Sequence, residues 1–180
     1  MRPLPLMLLA PCLALWLAAA VAPGVAAYSA FRVLPKEGVV VPRFKAIAAD
    51  DAETMGRLAA GRSLQPAFQL SDRARWVLAP AALLLALAAG CWRRGGRAVL
   101  ALLILALLAL AAGQALGWSM QAPLERWWAL AEAGDLQGAL ASRRDFDALH
   151  PWAERATSLE AISLLAALLL VPAAAVRRTP

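Results

Sequence analysis

Four apolar stretches, at roughly Leu4–Ala22, Trp76–Trp92, Ala98–Trp118 and Leu159–Val176, decide what this chain can fold into. Each is close to the ~20 residues a helix needs to cross the hydrocarbon core of a bilayer. The third fits directly. The second and fourth are short and must draw on their flanks. With 62% hydrophobic residues and a mean hydropathy of +0.62 over 180 residues, the chain is more apolar than a soluble domain, which is nearer half apolar. The expected fold class is all-α: an integral membrane four-helix bundle with amphipathic helical extramembrane segments. It forms one four-span domain over residues 1–180, with polar segments at 28–75 and 119–158.

The net charge is +6, and nearly all of the basic residues are arginine. No basic run is interleaved with aromatics and no nucleic-acid motif is present, so nucleic acid is not an expected partner. Cationic flanks holding helices against anionic lipid headgroups account for the excess. Cys12 and Cys91 both lie in apolar segments, and neither belongs to a Cys-x-x-Cys pair. That excludes four-helix thiol oxidoreductases, whose chemistry needs reactive pairs near the membrane surface.

Arg2, an apolar run and the small-residue stretch Gly24-Val25-Ala26-Ala27 resemble a cleavable signal peptide. The run Leu4–Ala22 is longer than a signal core, and a retained first helix is expected, kinked at Pro11 and ending near Pro23-Gly24. In the first polar segment Val39-Val40-Val41 is a short β-prone run halted by Pro42, and residues 46–60 read as a helix stopped by Gly61. The stretch Gln65–Leu70 reads as irregular around Pro66, with Ser71 or Asp72 as the N-cap of the second span. Trp76 and Trp92 bracket that span as interfacial aromatics would, and residues 93–97 (Arg-Arg-Gly-Gly-Arg) form a tight turn into the third. In the second polar segment Pro123 suits the first position of a helix. Leu124, Trp127, Trp128, Leu130 and Ala131 make an apolar stripe, Gly134 ends that helix, and Asp135 caps the next. These amphipathic pieces suit either the membrane surface or packing against the other polar segment. The last span is entered through residues 145–152, with a helix beginning at Pro151.

Four spans place both termini on one side together with the arginine-rich turn. That side carries six Lys/Arg against twelve in the two long polar segments. Raw numbers therefore oppose a cytoplasmic assignment under the positive-inside rule. The density of arginine in the turn and tail favours it, and the expected topology is N-in and C-in. Arginine-over-lysine, Ala/Leu-rich usage points to a bacterial inner (cytoplasmic) membrane.

Glu160 is the one acid inside an apolar span, and an intramembrane carboxylate is a functional candidate by default. Thr157 and Ser163, at three-residue spacing on either side, give it a polar helix face that could bind a proton, a cation or a polar ligand. The plainer expectation is that Glu160 lies near a helix N-terminus, where the macrodipole favours an acid and the side chain reaches the interface. His150 is the only histidine, so a bis-histidine haem or a multi-histidine metal site within one chain is excluded. It could carry a proton beside Asp147 or Glu154, or anchor the helix starting at Pro151. Asp50, Asp51 and Glu53 match no calcium loop. Ser63, Ser71 and Ser119 have no His/Asp partner set. No catalytic residue, metal ligand or cofactor is expected.

Phe146-x-x-Leu149-His150, followed by a polar face and a Leu/Ala-rich span, resembles the transmembrane-protein-205-like family of small four-helix membrane proteins. The resemblance covers roughly the final 75 residues. The family pattern places Ser three and Asn seven residues after the histidine, where this chain has Ala153 and Thr157, and its first polar loop is more compact than Tyr28–Arg75. The resemblance implies a four-helix bundle without an established activity and transfers no catalytic residue. The expected function is a non-enzymatic structural, accessory or interaction protein of the membrane, with the lipid bilayer, a membrane-protein partner or a second copy as its partners. The alternative is a membrane enzyme or carrier that binds a lipophilic, quinone-like ligand near Glu160 and His150. A solid Leu/Ala core with both residues facing solvent would favour the first; a cavity at the mouth of the bundle lined by both would favour the second.

Overall fold

The computed structural model describes residues 3–39, 41–45, 52–93 and 96–176. Within them the chain is all-α, with no strand. There are four long helices, α1 (Pro3–Val33), α2 (Ala52–Ala88), α3 (Arg97–Ala133) and α4 (Leu136–Val176); the connections from α2 to α3 and from α3 to α4 are short, and a longer segment with a 3-10 turn at Pro42–Phe44 separates α1 from α2. Asp50, Asp51, Val40, the start of the helix expected from residue 46, and the C-terminal arginines lie outside the described residues. Three helices are long and apolar enough to cross a bilayer: α1, α3 and α4. In α2 the apolar part runs only from Trp76 to the helix end at Ala88, and the turn before it carries Asp72, Arg73 and Arg75. The expected second span up to Trp92 is thus cut short, and Trp92 sits in the connection to α3.

The helices are longer than the sequence breakers suggested. α1 passes through Pro23-Gly24 to Val33. α2 passes through Gly61, Pro66, Ser71 and Asp72, so neither of the last two residues is an N-cap. Pro123 lies inside α3 rather than at a first helical position, and Pro151 lies inside α4. Two glycines do stop helices. Gly90 (φ +75°) and Gly134 (φ +78°) take the left-handed conformation that glycine alone enters cheaply. Each closes a paired C-terminal motif. Cys91 N–H donates to Ala86 C=O at 2.9 Å and Gly90 N–H to Leu87 C=O at 2.9 Å; Asp135 N–H donates to Leu130 C=O at 3.0 Å and Gly134 N–H to Ala131 C=O at 3.3 Å. Asp135 then caps α4, its Oδ1 accepting from Gly138 N–H at 2.9 Å.

The chain forms two compact units. The first comprises Met1–Ala22, Leu70–Gly113 and Arg155–Pro180; the second comprises Pro23–Gln69 and Gln114–Glu154. All four long helices contribute a segment to each.

The first unit has one apolar core. Leu9, Leu13 and Trp16 come from α1, Ala79, Ala82 and Ala86 from α2, Val99, Leu103, Ala106 and Leu110 from α3, and Leu164, Ala167 and Val171 from α4. Each set recurs at three, four or seven residues, the spacing of one helix face. The α2 face is all alanine, which lets its backbone approach its neighbours closely, as membrane helices do. The large residues Leu84, Leu108, Ile162 and Leu169 point outward and are exposed. Having large apolar residues on the outside as well as in the core is the arrangement of an integral membrane protein, because lipid is as apolar as the core.

The second unit has its own small core of Phe44, Met55, Leu58, Trp128, Ala131 and Ala139. Gly56 abuts the backbone of Pro35 so closely that any Cβ there would collide. Of the two settings open to the amphipathic pieces, these residues take packing against one another.

Candidate functional site

Glu160 is fully buried in the first unit, deep within α4 rather than near a helix start. The expectation of a helix-terminal, interface-reaching carboxylate is overturned, because α4 begins at Leu136 and runs straight through Pro151. Both carboxylate oxygens are taken. Trp16 of α1 donates its indole Nε1–H to Glu160 Oε1 at 2.7 Å. Arg75 of α2 donates from one terminal nitrogen to Glu160 Oε2 at 2.9 Å. The other terminal nitrogen of Arg75 engages Asp72 one turn earlier on α2. Three helices are therefore pinned at one carboxylate.

The electrostatics explain the arrangement. An ionised carboxylate costs several kcal/mol to bury unless it is paired and hydrogen-bonded. Arg75 supplies the charge, Trp16 the second donor. Asp72 is partly exposed, so the network runs from a buried acid, through a guanidinium, to a carboxylate that reaches the surface. Arg75 Nε is the exception: among the described residues it is the one buried side-chain nitrogen or oxygen without a hydrogen-bond partner. Nearby polar groups are satisfied locally. Ser71 donates to the Ala19 carbonyl at 2.6 Å, a further tie between α2 and α1, and Ser163 donates to the Leu159 carbonyl at 2.7 Å.

The sequence-predicted residues divide. Glu160 and Ser163 are both buried, and Thr157 is half-buried on the same helix. His150 falls in the second unit. It is exposed, stacked on Phe146 with ring centroids 5.0 Å apart, and its Nε2 lies 3.2 Å from Glu154 Oε1. Glu160 belongs to the first unit. Phe146 in turn meets Trp127 at 6.4 Å, and the Arg143 guanidinium lies 5.4 Å from the Trp127 ring centre, a side-chain stack that joins α3 to α4 in that unit. Glu53 pairs with Arg57 along α2.

Sequence reasoning missed Trp16, Arg75 and Asp72. Arg75 reads as a cationic flank of an apolar run. The available signal was the need of Glu160 for a counter-ion, with Arg75 the arginine directly adjoining an apolar run that has an acid one turn away.

Among the described residues no group of three or more His, Cys, Asp or Glu side chains could hold a metal ion. Among the described residues, open surface grooves lie in the second unit. One, of about 380 Å³, lies along Tyr28, Arg32 and Lys36; another, of about 320 Å³, lies beside Arg62 and Trp128. The chain matches no protein-family model, no curated protein and no solved structure.

Proposed function

We propose that this is a non-enzymatic, multi-pass protein of a bacterial-type inner membrane, a structural, accessory or interaction component built as a four-span bundle with both termini in the cytoplasm. The observation that carries the reading is the occupancy of Glu160. Its oxygens are committed to Trp16 and Arg75, so the one acid of the apolar spans is engaged in holding helices together. The Leu/Ala core and the exposure of His150 support the same reading, whereas Glu160 is buried and does not face solvent as that reading expected. A fourth span is supported by Ala79, Ala82 and Ala86, which bury the apolar end of α2 in the core shared with the other three helices. The likeness of Phe146, Leu149 and His150 to the transmembrane-protein-205-like pattern belongs to this reading too, these residues lying on the helix that carries the last apolar span.

A second reading rests on Arg75 Nε. A buried donor without an acceptor suits the carbonyl of a quinone-like ligand. Purification in native lipid with mass spectrometry of what is retained separates the two. The first reading expects a reproducible protein partner or a second copy. A stoichiometric lipophilic small molecule, lost on replacing Arg75, would install the second.

A further inference from the structure

We propose that the turn between α2 and α3 is a binding surface for the headgroup of an anionic phospholipid, held by Trp92, Arg93 and Arg97. The inference rests on the membrane reading and adds a lipid class and a site.

Charge is the first argument. From residue 73 to residue 124 the sequence contains no Asp or Glu. The only Asp and Glu side chains of the first unit are Asp72 and Glu160, and Arg75 engages both. The turn's arginines thus have no uncommitted acid within their own unit, and their counter-charge must come from outside the unit.

Geometry is the second. Trp92, Arg93 and Arg97 are all exposed, while Cys91 and Gly96 on either side are buried. The Arg93 guanidinium lies over the Trp92 ring, 5.1 Å from its centre. Stacking uses the face of the guanidinium and leaves its N–H donors in the plane, where they fit phosphate oxygens. Arg97 bonds the Trp92 carbonyl at 3.3 Å through Nε, a contact that does not use its terminal nitrogens. The two ends of the turn are held in shape. Gly90 supplies the left-handed residue, and Gly96 sits so close to the Cys91 backbone that a Cβ would reach within 2.5 Å of Cys91 Cα. An exposed tryptophan beside such a pair is suited to the headgroup level of a bilayer, and arginine there is drawn to a negatively charged leaflet.

The test uses the full chain, reconstituted in vesicles of phosphatidylcholine alone or mixed with phosphatidylglycerol, followed by native mass spectrometry of the lipid retained. Wild type is expected to hold phosphatidylglycerol in preference to phosphatidylcholine. Arg93→Gln with Arg97→Gln should lower that preference by about five-fold per arginine, and Arg93→Lys with Arg97→Lys should keep part of it. Equal retention of the two lipids by wild type, or an undiminished preference in the glutamine variant, overturns the proposal. So does displacement of phosphatidylglycerol by an equal concentration of inorganic phosphate, which would mark a site for soluble anions. Entry of all variants into pure phosphatidylcholine vesicles tests the membrane reading separately; its failure for wild type would remove both.

Discussion

Glu160 and Arg75 stand 85 residues apart in the chain and meet at 2.9 Å inside an apolar helical unit. The pair joins α4 to α2, and Trp16 adds α1 on the opposite oxygen. An ion pair in such surroundings is weak support for net stability, since desolvation offsets attraction, yet breaking it by removing one partner is costly. The account therefore predicts large effects from single changes and less than their sum from paired changes.

Trp16→Phe keeps most of the ring and deletes the indole N–H, leaving Glu160 Oε1 without its donor. A hydrogen bond to a charged group contributes about 1.5–3 kcal/mol, and a loss in that range is expected in chemical denaturation in lipid bicelles. A change below ~0.5 kcal/mol would show that the bond is not maintained.

The alanine face of α2 sets the second expectation. Ala86 is fully buried, so Ala86→Leu overfills the core and should cost about 1–3 kcal/mol. Leu84, on the outer face and 65% exposed, should tolerate alanine with a change of about 0.5 kcal/mol or less. Thermal stability in the same bicelles distinguishes them, and equal sensitivity at both positions would contradict the packing described.

How much of this was legible follows from where each signal lies. Three of the four apolar runs announced helices long and apolar enough to cross a bilayer, because length and hydropathy are local. Gly134 and Asp135 announced a stop and a cap for the same reason. Pro66, Pro123 and Pro151, and Gly24 and Gly61, read as breaks, and the helices run through them. Single breakers cost a few kcal/mol at most, and the packing of long helices on both sides outweighs them. Glu160 stood out as a lone acid, but its partners are on other helices, and no local pattern reports a contact across 85 or 144 residues. A helix starting at Pro151 would put Glu160 near its terminus; α4 starts at Leu136 and does not.

Residues 1–22 are expected to remain in the mature protein. Leu9, Leu13 and Trp16 are core residues, and removing them would strip Glu160 of its indole donor. Intact-mass measurement on membrane-extracted protein checks this; a mature N-terminus near Ala27 or Tyr28 would refute it.

The proposed topology puts the α2–α3 turn in the cytoplasm and the polar segments 28–75 and 119–158 on the other side. Cysteines introduced one at a time at Ser63 and Gln137, both exposed, should react with an impermeant thiol reagent in intact cells. Labelling only after lysis would invert the orientation.

The most direct measurement is a double-mutant cycle on Arg75 and Glu160 in bicelles of native lipid. Arg75→Met should cost about 3–5 kcal/mol by leaving the buried carboxylate unpaired, and Glu160→Met should be costly for the mirror reason. The double variant should fall well short of the sum of the two losses, at about 1–3 kcal/mol, the cost of leaving the buried Trp16 indole N–H without its Glu160 acceptor, while membrane accumulation and any retained partner stay unchanged. Additive losses in the double variant, or a non-additive double variant that has lost a bound ligand or a growth phenotype, would contradict a structural role for Glu160.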